Sequence, residues 1–142
     1  MRFLNEDRTS SVSAGTALSG FPATNVENDR PRKPWISTTQ SSETFTISLN
    51  ASTGNPVQAM FLHGLLADSC TWALKNNAGS TVDSGTLDCS FPAESNLSGN
   101  PNNSNVYFVN QAHLLRSFFV VFDTTVTDNG SLVLTLTTSQ NM

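Results

Sequence analysis

Charge is scarce in this chain. Of its 142 residues only 13% are Asp, Glu, Lys or Arg, against ~25% in an ordinary globular domain. Lys and Arg together number seven, and the formal net charge is −4. A surface that tracks nucleic-acid phosphates works by releasing many counterions, one for each cationic contact. Seven cations, three of them gathered at Arg30, Arg32 and Lys33 and the rest scattered, cannot supply that, so nucleic acid is not the expected partner. Histidine and cysteine are equally thin, at two each. No Cys-x-x-Cys pair or His cluster occurs, which removes a zinc site. Neither a GxSxG elbow nor an HExxH helix is present, which removes the hydrolase and metalloprotease signatures. His63 and His113 each sit near the end of an apolar strand, where a lone histidine usually serves as a polar cap. Asp83, Asp88 and Glu94 read as turn or loop-edge residues, so no glycosidase carboxylate pair stands out. Long hydrophobic runs are missing too. Nothing approaches the ~20 apolar residues of a membrane span, and no apolar h-region follows Met1–Arg8. The expectation is a soluble protein made in a cytoplasm.

Cys70 and Cys89 are the only cysteines. If Lys75 to Ser80 forms a hairpin turn, Cys70 faces Gly85 or Leu87, several residues out of register with Cys89. That offset exceeds the reach of a disulfide. Two free, buried thiols are expected.

What the chain does have is β sequence rich in Ser, Thr and Asn. Glu43–Leu49 alternates Phe45, Ile47 and Leu49 with Thr44, Thr46 and Ser48, the period of a half-buried strand. Asn50–Pro56 is turn sequence. Val57–His63 is nearly continuous in apolar residues and reads as a central strand covered on both faces. Cys70–Lys75 alternates again, with Cys70, Trp72 and Leu74 on one face. Asn76-Asn77-Ala78-Gly79 tolerates positive φ and signals a hairpin into Thr81–Leu87. Phe91–Asn105 is a long Asn, Ser, Gly and Pro loop. Val106–Val109, Leu114–Asp123 and Leu132–Thr137 complete the strands. Residues 1–20 are polar and small, either an extended N-terminal arm or an edge strand around Ser11–Ala14. Seven or eight short strands separated by turn clusters predict an all-β chain. The expected architecture is a single antiparallel β-sandwich over 1–142, with residues 21–142 as its body.

One stretch is denser in information than the rest. Gly20–Ser37 gathers Pro22, Asn25, Asn28, Asp29, Pro31 and Pro34 ahead of Trp35. Asn25 and Asp29 can bond nearby backbone amides and hold tight turns. The prolines restrict the loop and their preceding residues. Trp35 is thereby delivered to the end of a core, where it anchors rather than offers a sugar-stacking face. Arg30, Arg32 and Lys33 form a local basic cluster that can pair with Glu27 and Asp29, or contact a partner.

The run Phe21-Pro22-Ala23, Asn25-Val26, Asp29, a basic pair and Trp35-Ile36-Ser37 resembles the start of discoidin-like domains. These are the galactose-binding-like jelly rolls. With Pro31 and Pro34 flanking Arg32-Lys33 ahead of Trp35, it looks most similar to small virion proteins of tailed bacteriophages. Leu62-His63-Gly64-Leu65 and Val82-Asp83-Ser84-Gly85 match later segments of that pattern, so the resemblance extends from about Ser10 to Leu136. It implies a jelly roll in a virion, without enzymatic activity or cofactor, partnered by other virion proteins or by copies of itself in a symmetric assembly. A tail or baseplate position is the first expectation, with Met1–Gly20 and Phe91–Asn105 as contact segments. A capsid decoration subunit is the second. A carbohydrate-binding module using Trp72, Tyr107 or Phe91 is a third, from another functional class. The discoidin-like relatives often hold a structural calcium through loop oxygens, for which Asp29 is the candidate ligand here, although basic residues and prolines surround it.

Overall fold

The structure is a computed structural model that describes residues 7–27, 34–39, 41–65, 67–89 and 116–138, side chains at 63, 64, 116 and 117 excepted. Over these residues the chain is built of β-strands, with one 3-10 turn at Ala23–Val26 and no α-helix. Seven strands follow in order: β1 Thr9–Ala14, β2 Ser42–Leu49, β3 Val57–Leu65, β4 Ser69–Lys75, β5 Thr81–Asp88, β6 Arg116–Val126 and β7 Ser131–Thr137. They form a five-stranded sheet in the order β1-β2-β7-β4-β5 and a two-stranded sheet of β3 and β6. Every pairing is antiparallel. No helix among the described residues is long and apolar enough to cross a membrane.

Alternation decides which residues fill the space between the sheets, because successive side chains point to opposite faces. Phe45, Leu49, Cys70, Trp72, Leu74, Leu132 and Leu134 enter from the larger sheet. Val57, Met60, Phe122 and Val126 enter from the smaller one. Trp72 and Phe122 meet across the gap, with ring centroids 5.2 Å apart and planes tilted by 53°. A tilted aromatic pair of this kind is worth ~0.5–1.5 kcal/mol beyond its buried area. The two sheets therefore share one core.

The β4–β5 hairpin shows local chemistry setting register. Gly79 alone in this turn adopts a positive φ, at 84°, a conformation that costs an L side chain energy. Its N–H donates to the Asn76 carbonyl at 2.9 Å, and the Ser80 N–H donates to Asn76 Oδ1 at 2.9 Å. Cys70 consequently faces Leu87 and Trp72 faces Gly85. Cys70 and Cys89 are both buried, and neither forms a disulfide.

The structure decides three sequence readings. First, of the two offered for the N-terminal stretch it shows the edge strand: Thr9–Ala14 pair with β2 and do not extend as an arm. Arg8 is tied down as well: its carbonyl accepts the Asn50 N–H at 2.8 Å, and its guanidinium donates to Asn55 Oδ1 at 2.9 Å. Second, β3 is not covered on both faces. Phe61 is 52% exposed and lies opposite Phe119 of β6, which is 47% exposed. The apolar run conceals an ordinary alternation, with Met60 and Leu62 turned inward and Phe61 outward. Third, Asp83 lies inside β5 rather than on a turn, and Asp88 ends that strand. The expected strand Val106–Val109, the loop Phe91–Asn105, Glu94 and His113 lie outside the described residues, as do the first six residues.

Candidate functional site

The lead-in to β2 is where sequence reading concentrates its candidates, and the structure centres that region on a residue the reading passed over. Glu43 is in phase with Phe45 and Leu49, so the strand turns its carboxylate inward, where it is 9% exposed. Three hydroxyls converge on Oε2: Thr16 Oγ1, Ser37 Oγ at 2.8 Å and Thr39 Oγ1 at 3.0 Å. The Thr44 N–H donates to Oε1 at 2.9 Å. The hydroxyls in turn accept backbone donors, Thr38 N–H onto Thr16 Oγ1 at 3.1 Å and Thr39 N–H onto Ser37 Oγ at 3.0 Å. A hydroxyl has one proton to give, and a carboxylate accepts without donating. Thr39 Oγ1 also reaches the Ser42 carbonyl at 3.1 Å, so its proton has a second acceptor, while the Thr16 and Ser37 hydroxyls and the Thr44 amide favour the ionised carboxylate. Burial alone would raise its pKa, but the hydrogen bonds from Thr16, Ser37, Thr39 and the Thr44 amide outweigh that and hold it below the usual carboxylate value.

Trp35 sits beside this cluster. Its ring is half-buried against Phe45, centroids 5.0 Å apart and tilted by 55°, and its Nε1–H donates to the Thr16 carbonyl at 3.0 Å. Pro22 holds extended backbone ahead of the 3-10 turn, whose first bond runs from the Asn25 N–H to the Pro22 carbonyl at 3.1 Å. Among the described residues the Asn25 side chain donates and does not accept a nearby amide. Its Nδ2 donates to the Pro34 carbonyl at 3.1 Å, clamping the two ends of the loop together. The structure thus brings Pro22, Asn25 and Trp35 into one corner, joined by Thr16, Ser37, Thr39 and Glu43. Asp29, Arg30, Arg32 and Lys33 lie outside the described residues. Glu27, a proposed partner for the basic cluster, has its Oε1 on the Val12 N–H at 2.8 Å. That bond shields a donor on the edge strand β1.

A second buried-side acid does similar work at the opposite edge. Asp83 Oδ2 accepts the Asp123 N–H at 2.7 Å, with the Thr124 N–H farther off at 3.4 Å, and Oδ1 accepts the Ser84 N–H at 2.8 Å. It joins β5 of one sheet to β6 of the other, where the β3–β6 ladder breaks register between Val57 and Ala59. Neither acid is arranged as a calcium ligand. Glu43 is met by donors, and the described residues hold no group of three or more His, Cys, Asp or Glu side chains suited to a metal. Asp29, the candidate ligand for the calcium that the resemblance implies, lies outside the described residues.

Glu43 carried a sequence signal, since it continues the inward phase of Phe45, Ile47 and Leu49 by one step. Asp83 carried none, because its partners are forty residues away in sequence.

No protein-family model matches the chain, and no curated protein matches it. Among solved structures it is similar to reduced XRCC1 bound to the DNA polymerase β catalytic domain, with a TM-score of 0.59 and 12% identity. That match covers 92% of this chain and 85% of the other. At that identity the likeness establishes a shared sandwich fold and nothing further.

Proposed function

We propose that the chain is a non-enzymatic structural protein of a tailed-bacteriophage virion, carried in several symmetric copies at the tail tip or baseplate. The observation that carries this reading is how the inward acids are spent. Glu43 and Asp83, the groups best placed to act as acid or base, are latches whose oxygens hold hydroxyls and amides of the frame. A general base needs its lone pairs turned toward a substrate. The chemistry of this corner is devoted to rigidity, which suits a subunit that is recognised by shape. The resemblance of Pro22–Trp35, Leu62–Leu65 and Val82–Gly85 to small phage virion proteins supplies the setting. The XRCC1 likeness adds only an analogy of fold, that of a sandwich found in a protein–protein complex.

The carbohydrate-binding alternative gains little from the aromatic rings. Trp72 is buried against Phe122, and Trp35 has its indole N–H satisfied inside the molecule. A sugar site wants an exposed ring with convergent polar groups.

Immunogold labelling of purified particles tests the proposal. Label at the tail tip is the expected result. Label spread over the head would replace the tail reading with capsid decoration. Absence of label from both intact and detergent-opened particles would overturn the virion reading.

A further inference from the structure

The outer face of the five-stranded sheet is composed in a way that water alone does not demand. Its central cross-strand row runs Thr44, Thr135, Thr71 and Thr86 over four adjacent strands. The Thr71 and Thr86 hydroxyls lie 3.4 Å apart. The next row runs Ser13, Thr46, Val133, Ala73 and Ser84 across all five. Among the described residues, charge enters this face only at its ends. Asp88 stands beside Ser69 at one end of β4, and Lys75 stands at the other end beside Ser131. A solvent-facing antiparallel sheet ordinarily carries mixed charges to stay soluble. This one carries small hydroxyls around a small apolar centre of Val133 and Ala73, the anatomy of a contact patch with a polar rim.

We propose that this face stacks against the same face of a second copy of the chain. Three properties select that occupant. First, the middle of the face is uncharged, so two copies meet without like-charge repulsion. Second, its size suffices. Five strands at ~4.8 Å and seven residues at ~3.4 Å span roughly 24 Å by 24 Å, so two copies cover roughly 1,100 Å² together, above the ~1,000 Å² that marks a specific interface. Third, its charges are self-complementary. A two-fold axis lying across the strands above Thr71 and Ala73 exchanges the two ends of β4. Lys75 of each copy then lies at the end where the second copy carries Asp88. Such an isologous pairing makes each contact twice.

The inference concerns the purified chain alone and does not depend on the virion reading. Sedimentation equilibrium of the whole chain should show a reversible dimer at micromolar concentration. Placing like charges at the axis with Thr71→Lys and Thr135→Lys should raise the dimer Kd by at least about tenfold, while leaving the thermal transition of the monomer in place. Lys75→Asp and Asp88→Lys should each weaken the dimer, and the two together should restore it. A chain that stays monomeric throughout, a lysine variant that dimerises normally, or a charge swap that fails to restore pairing would each overturn the proposal.

Discussion

Trp72 on β4 and Gly85 on β5 are cross-strand partners, and the indole lies over the place where a side chain at 85 would begin. A Cβ there would stand 2.8 Å from Cζ2 and 2.9 Å from both Cε2 and Nε1. Such distances are not tolerated, and the ring cannot retreat because Phe122 packs against it. The glycine is therefore a packing requirement of the tryptophan.

Gly85→Ala should destabilise the fold by about 1–3 kcal/mol through overpacking. Urea unfolding followed by tryptophan fluorescence measures it. An Ala variant as stable as the parent would show that Trp72 does not hold this position.

Glu43→Gln keeps the size of the side chain but replaces an ionised acceptor with an amide. Three hydroxyl donors then compete for a weaker acceptor, and the loss should be about 2 kcal/mol, in the range for hydrogen bonds to a charged group. The urea midpoint of the variant against the parent near neutral pH reads this directly.

The same carboxylate sets a pH dependence. Its pKa is lowered in the folded chain relative to the ordinary 4.5, so the unfolded state binds the proton more readily. The contribution of Glu43 is then fully present above the unfolded value and is lost as pH falls through the lower folded value. Stability of the parent should fall more steeply below about pH 4.5 than that of Glu43→Gln. Equal slopes for the two proteins would remove Glu43 as the source.

Much of this frame was legible in the sequence, and the parts that were not share a cause. Alternation along Glu43–Leu49, Cys70–Lys75 and Leu132–Thr137 identified β2, β4 and β7, and Asn76–Gly79 placed the hairpin that sets Trp72 against Gly85. Those signals are local. Glu43 escaped because a charged residue in an apolar phase is read as an interruption unless its donors are known, and Thr16 is far away in sequence. Asp83 and the exposed Phe61–Phe119 pair escaped for the same reason. Which face of β3 meets solvent depends on its pairing with β6, a contact no local pattern encodes. The basic trio Arg30, Arg32 and Lys33 stays a sequence proposal.

Burial and the neighbouring Cys89 push the Cys70 thiol up to about 12. At pH 8 its thiolate fraction is then on the order of 10⁻⁴, and the thiolate is the reactive form. Native protein should leave Cys70 unmodified by a thiol reagent, and denaturant should release both cysteines. Rapid labelling of Cys70 in the native state would contradict the packing described for β4.

The measurement that bears most directly on the account is the number of copies of this chain per purified phage particle, by quantitative mass spectrometry against labelled peptide standards. A structural subunit of the tail predicts a fixed, symmetric count of about a dozen or fewer. A chain absent from particles, or present in varying trace amounts that wash away, would contradict it.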